Sequence, residues 1–166
     1  MEETARIYKA LKGTTWQQNK YELVPIRDSD KHVIREMRNQ QLDVLRQTAP
    51  LSKEMQDTYF KNTVDRLFKE DTPAQLLFSF LLEGVFIGYG GLVHINWAEK
   101  NAEVSFLTLT ERNSDEGTFA ADFVNYLVLI KKIAFAELSF ASIHTTFYDI
   151  PERIAYKKSI EHFGFS

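Results

Sequence analysis

The chain has 166 residues, 44% of them apolar and 26% charged, with a net charge of −3. That length and composition fit one globular domain able to bury about 70% of its unfolded surface, and exclude a fibre or a disordered tail. The near balance of charge gives no global attraction to nucleic acid or to an anionic membrane. The lack of cysteine excludes disulfides, a thiolate nucleophile and thiolate metal sites.

Residues 1–20 read as a polar N-terminal extension with a weak helical pattern through Ile7, Tyr8 and Leu11, stopped near Gly13. They hold no apolar h-region, so no secretory signal is read and a cytoplasmic location is expected. The domain proper is placed at 21–166. Residues 21–27 (YELVPIR) read as a strand that Pro25 restricts to an edge or bulged position. Asp28, Ser29 and Asp30 offer caps for a helix to about Gln47, with Val33, Ile34, Met37, Val44 and Leu45 apolar. After Pro50, Ser52 caps a second helix in which Met55, Tyr59, Thr63, Leu67 and Phe68 form the apolar series.

Beyond Pro73 the period changes from helix to strand. Residues 74–97 carry Glu83 as their one formal charge, but Gly84, Gly88, Gly90 and Gly91 disfavour a membrane helix. The Glu83-Gly84 pair between two apolar runs predicts a tight hairpin. The glycines of IGYGGL predict a bulge or a close backbone approach by a ligand. Residues 97–100 make a second turn, and 101–109 (NAEVSFLTL) alternate as a strand. A polar loop at 110–118 leads into a long helix over 119–138, with a stripe of Phe119, Phe123, Leu127, Ile130, Ala134 and Leu138 broadened by Val124, Val128 and Phe135. Residues 139–148 read as a strand, and a last helix starts at Pro151 and stops at Gly164. The order β-α-α-β-β-β-α-β-α predicts an α/β (α+β) fold, a mixed central sheet flanked by helices.

That order resembles the GNAT family of acyl-CoA-dependent N-acetyltransferases over about 21–165. The most specific part runs from AEVSFL through the polar turn and IAFAEL to KKSIEHFGF. The opening IRDSD…MRNQQ…LRQ and the later PLS are similar to the subgroup that acetylates ribosomal-protein termini and nucleotide-linked amino sugars. The resemblance implies acetyl-CoA as co-substrate, with its pantetheine arm along the backbone of Phe106, Leu107 and Thr108. The pyrophosphate would rest on the start of the next helix. A helix N-terminus suits an anion because its first N–H groups lack partners.

The family's pyrophosphate loop maps onto Arg112, Asn113, Ser114, Asp115, Glu116 and Gly117, followed by Thr118. Arg112 and Gly117 fit the pattern. Asp115 stands at the first glycine and Glu116 adds a second carboxylate, so both acids must point away from a phosphate. The plain alternative is a solvated turn whose acids favour the helix N-terminus. Asp149 takes the place of an asparagine that touches the cofactor arm, or serves as an accessory cap of the last helix.

Acyl transfer to an amine needs a base, oxyanion stabilisation and a proton for the leaving thiolate. Glu103 is the carboxylate on the strand where the family often carries its base. If Asn96 pairs with Asn101, His94 lies directly opposite Glu103 on the same face, and the two relay the proton or form a structural polar pair. The family's usual tyrosine acid would fall at Ile160; Tyr156, one turn earlier, and Tyr148 are the available phenols. His144 alternates with Ile143 and faces either the acceptor cleft or the sheet. His32 and His162 have no matching ligands, so no metal site is expected. After the Gly-Phe only Ser166 follows, where the family adds a final hairpin. An unfinished edge of that kind predicts completion by a partner copy, as in a homodimer. The implied activity is acetyl transfer from acetyl-CoA to a primary amine, a nucleotide-linked amino sugar or a protein N-terminus, by direct attack. The other reading is a non-catalytic acyl-CoA-binding module on the same fold.

Overall fold

The computed structural model describes residues 7–41 and 49–145. Six strands form one sheet: β1 (Trp16–Gln18), β2 (Tyr21–Pro25), β3 (Leu76–Leu82), β4 (Val85–Asn96), β5 (Asn101–Thr108) and β6 (Ser142–His144). Their spatial order equals their chain order. The first five are antiparallel neighbours, and β6 joins β5 in parallel. A parallel neighbour requires a crossover. The short helix α3 (Thr110–Asn113) and the long helix α4 (Glu116–Lys131) supply it. Helices α1 (Lys31–Gln40) and α2 (Lys53–Tyr59) precede β3.

Side chains alternate along each strand, so the two faces of the sheet meet different helices. On one face, Phe106 lies 4.9 Å from Phe123 and 4.5 Å from Tyr126, ring centre to ring centre, and Phe80 joins the same aromatic cluster under α4. On the other, the Ser79 hydroxyl donates to Asp30 at 2.8 Å, at the head of α1. Arg27 closes this corner with a bidentate contact to Asp30. The mixed sheet with helices on both faces is the architecture the sequence predicts.

Local chemistry explains the hairpins. Glu83 (φ 51°) and Gly84 (φ 82°) both adopt the left-handed conformation that a two-residue β-turn of matching twist requires. The Ser52 hydroxyl accepts from the Met55 amide at 3.1 Å, which is the expected cap of α2. Pro25 lies on an inner strand but at a local edge, with β3 on one side and no described partner on the other. Ile26 donates to Leu77 O on the β3 side, so the Pro25 nitrogen points toward β1, and β1 reaches only as far as Leu23.

Several expectations are corrected. Residues 8–18 are no detached extension: Tyr8 and Leu11 are buried, and Trp16–Gln18 pairs with β2. Helix α1 ends at Gln40, where Gln41 leaves helical geometry and turns its side chain to Thr108 O; the rest of the helix expected to about Gln47 falls outside the described residues. Residues 42–48 lie outside the described set. Helix α2 runs through a π-turn (Phe60–Val64) into a last turn at Asp65–Leu67. Gln56, Phe60, Val64 and Leu67 form the buried face, offset by one residue at its start from the expected series, so Met55 stays 54% exposed. Helix α4 likewise ends in a π-turn (Lys132–Glu137). Its stripe is broadened by Tyr126, Leu129 and Ile133, whereas Val124 and Val128 are half-buried and Phe135 is exposed. The described part of the next strand is confined to Ser142–His144, and the final helix expected from Pro151 lies outside the described residues.

Candidate active site

Strand β5 presents one side of its backbone to β4 along its whole length, but pairs with β6 only through Asn101, Ala102 and Glu103. Leu109 donates to Ile87 O on β4. By the alternation of an antiparallel ladder, Leu107 and Ser105 also face β4, while the amides of Phe106 and Thr108 point to the β6 side. No described strand covers that side beyond Glu103. The Thr108 carbonyl there accepts from Gln41 Nε2 at 3.1 Å. Thr108 Oγ1 is buried without a hydrogen-bond partner among the described residues. A strand edge of this kind can take up an extended, amide-bearing chain through main-chain hydrogen bonds. Of the three residues read from the sequence as holding a pantetheine arm, Phe106 and Thr108 turn their backbone to this edge. The Leu107 amide faces β4 instead.

Against the opposite face of the sheet, below α1 and α2, lies a cavity of about 680 Å³. Its walls include Arg38, Tyr59, Tyr89, Val93, His94 and Ser105. Glu103 is two residues before Ser105, hence on the same face. His94 Nε2 lies 3.5 Å from Glu103 Oε2. The His94 side chain is 80% exposed and that of Glu103 21%, so the pair links the sheet surface to solvent.

The pair forms by a route the sequence does not predict. Asn96 does pair with Asn101, as expected. The register then shifts, and Val93 rather than His94 stands opposite Glu103. His94 is the bulged residue, with φ 49°, and the bulge swings its imidazole back over the carboxylate. On the far side of β5, His144 is the parallel register partner of Glu103, exposed on the same face. No group of three metal-binding side chains occurs among the described residues.

The predicted pyrophosphate loop is arranged differently from expectation. Arg112 turns away from the loop and makes a bidentate ion pair with Asp122, Nε and Nη2 each 2.8 Å from a carboxylate oxygen. Asp122 is fully buried in the first half of α4, and Tyr21 on β2 donates to it at 2.9 Å. The amides of Arg112, Asn113 and Ser114 are spent inside α3, on Leu109 O and Thr110 O. The Asn113 side chain donates to Gln41 Oε1 at 2.9 Å, and Ser114 Oγ to Thr110 O at 2.7 Å. Asp115 caps α4 and accepts from the Thr118 amide at 2.9 Å. The hydroxyl and amide of Thr118 hold the Asp115 carboxyl below its usual range. At Gly117 an added Cβ would meet its nearest atom, Asp115 Oδ2, at 3.9 Å, so no contact among the described residues requires a glycine there. Tyr156 and Asp149 lie outside the described residues.

Sequence reasoning missed Arg38, Tyr59 and Tyr89 as cavity walls. The signal was present for Tyr89, a lone aromatic between the glycines of IGYGGL. It was hidden for Tyr59, which the expected apolar series put on the buried face of α2 and which is 36% exposed.

Residues 23–166 match the Acetyltransferase (GNAT) domain. No curated protein sequence matches the chain. Among solved structures, spermidine N-acetyltransferase from Vibrio cholerae, in complex with CoA and spermine, superposes with a TM-score of 0.69 at 16% identity, over 87% of this chain and 80% of that one. The ribosomal-protein-S5-alanine acetyltransferase from Vibrio fischeri gives 0.66 at 14% identity, over 93% and 84%. RimJ from Mycobacterium smegmatis, in complex with CoA-disulfide, gives 0.63 at 18% identity, over 87% and 69%. These neighbours share the fold. Together with a domain match over most of the chain, they make the protein a member of the GNAT acetyltransferase family.

Proposed function

We propose that the chain transfers acetyl from acetyl-CoA to a primary amine by direct attack. The observation that carries this reading is the meeting of two approaches at one carboxylate. The edge of β5 that no described strand pairs with runs up to Glu103 from one side, and the cavity under α1 and α2 reaches it through His94 from the other. The amine nitrogen attacks the thioester carbonyl, the C–N bond forms and the C–S bond breaks. Edge amides of β5 stabilise the oxyanion. The ammonium proton passes to Glu103 and through exposed His94 to water, and the CoA thiolate takes a proton from solvent or from a phenol such as Tyr156.

The acetyl-CoA fit rests on the amides of Phe106 and Thr108, which face the β6 side where no described strand pairs with them, and on the Thr108 hydroxyl, which has no partner among the described residues. Acceptors consistent with the family subgroup are a nucleotide-linked amino sugar or a protein N-terminus. Glu103→Gln is expected to lower kcat at least tenfold while leaving the affinity for acetyl-CoA, read by calorimetry, unchanged. Equal loss of turnover and cofactor affinity would assign Glu103 a structural role and remove it from the chemistry.

A second reading, a non-catalytic acyl-CoA-binding module, draws on one observation. Asp115 places a carboxylate on the first turn of α4, and Arg112 is engaged elsewhere. Acetyl-CoA binding with no thiol release on a broad amine panel would favour it.

A further inference from the structure

Tyr126 of α4 is fully buried, its ring held among Phe106, Phe80 and Phe123 at 4.5, 5.4 and 6.5 Å between ring centres. Its hydroxyl donates to the Ser105 carbonyl of β5, which faces β4. To get there it passes through the place that a side chain at Gly90 would fill. A Cβ added at Gly90 would stand 2.6 Å from the Tyr126 hydroxyl oxygen and 2.1 Å from Ser105 O. No side chain tolerates approaches that close, so a glycine at this point of β4 is a condition of the arrangement. The close backbone approach expected of the IGYGGL run is made here by the protein's own strand and helix.

A buried phenol needs an acceptor. What distinguishes this one is the peptide it belongs to. The Ser105 carbonyl and the Phe106 amide are two ends of one planar trans unit, so they point in opposite directions. One end meets Tyr126 on the β4 side. The other faces the β6 side, three residues past Glu103, where no described strand pairs with it. Donation to a carbonyl polarises the whole peptide and leaves its N–H a stronger donor. The clamped ring also fixes the plane of that peptide, because it leaves the hydroxyl little freedom. Oxyanion stabilisation depends on both properties, strength and a direction set before charge develops. Resting on the acetyl-transfer reading above, we propose that Tyr126 is a positioning residue of the reaction. Its hydroxyl, through the Ser105–Phe106 peptide, aims and strengthens the Phe106 N–H that receives the negative charge of the thioester oxygen as the C–N bond forms. Tyr126 has no solvent exposure, so it acts only through that peptide.

The test compares the full chain as wild type, as Tyr126→Phe, and with 3-fluorotyrosine at position 126, a stronger acid of nearly the same size. Circular dichroism melting confirms that all three are folded. Rates are read as CoA release with a peptide bearing a free N-terminus or a nucleotide-linked amino sugar, whichever wild type accepts. The carbonyl stretch of bound carbon-13-labelled acetyl-CoA is read by difference infrared spectroscopy, which needs no turnover. Tyr126→Phe is expected to lower kcat about fivefold with both KM values held within about twofold, short of the roughly hundredfold lost with an oxyanion donor itself. Its bound carbonyl stretch should move back toward that of free acetyl-CoA, and fluorination should move it the other way. A carbonyl stretch that Tyr126→Phe leaves unchanged, with or without a loss of rate, makes the hydroxyl a packing feature and overturns the proposal. The acetyl-transfer reading fails differently, by wild type turning over neither amine. If wild type still binds acetyl-CoA, the stretch alone decides whether Tyr126 polarises the site; if it binds none, reading and proposal fall together.

Discussion

Asp122 has no solvent exposure, and its carboxylate is divided between the Arg112 guanidinium and the Tyr21 hydroxyl. Tyr21 is a donor in this arrangement only while protonated. Burial, then the hydrogen bond to Asp122 and the nearby negative charge, push its phenol up to about 12. The linkage has a definite sign. The folded state holds this proton more tightly than the unfolded chain, where a tyrosine titrates near 10. The stabilisation is therefore fully present below pH 10 and is lost as pH rises toward 12. Urea unfolding of wild type and Tyr21→Phe at intervals from pH 7 to pH 11.5 reads it directly. Wild type is expected to be the more stable by a constant margin up to about pH 10, with the margin shrinking above that. No margin at any pH would mean that Tyr21 contributes its ring packing on Phe80 and not its hydroxyl.

The same carboxylate joins three elements: β2 through Tyr21, the α3 turn through Arg112, and α4 on which Asp122 itself lies. Removing the guanidinium leaves a buried anion with one neutral donor. Arg112→Met is expected to cost about 3 kcal/mol of unfolding free energy, measured by denaturant titration, as befits one half of a buried pair. Had Arg112 been a solvent-facing phosphate ligand, as its place in the loop pattern implies, the same substitution would change stability by well under 1 kcal/mol. Here lies the boundary of what the sequence reveals. Turn chemistry and caps act within a few residues, and the Glu83-Gly84 hairpin, the 97–100 turn and the Ser52 cap were readable for that reason. Helical face and strand register are cumulative, so one inserted residue redirects everything after it. The bulge at His94 changed its neighbour across the strand, and a one-residue offset at the start of α2 put Gln56 and Phe60 on the buried face in place of Met55 and Tyr59. Partners distant in sequence were invisible altogether. Nothing near Arg112 names Asp122 as its counter-ion, and nothing in residues 16–18 announces a strand until β2 is there to pair with.

For the molecule as a whole, the sheet separates two approaches to the same point. The edge of β5 beyond Glu103, unpaired among the described strands, lies in the plane of the sheet, while the cavity lies on the α1–α2 face, and both reach the segment from Glu103 to Ser105. An enzyme built this way draws its rate from holding thioester and amine in contact, since fixing both reactants replaces a bimolecular encounter. The alternative is a relay through an acetylated side chain, and the sequence holds no cysteine to serve as one. Initial rates measured over a grid of acetyl-CoA and amine concentrations are therefore expected to give double-reciprocal lines that intersect, the mark of a ternary complex. Parallel lines, together with a stably acetylated chain seen by intact-mass measurement after mixing with acetyl-CoA alone, would overturn direct attack. Ser105, the hydroxyl of β5 that lines the cavity, would then be the nucleophile to examine.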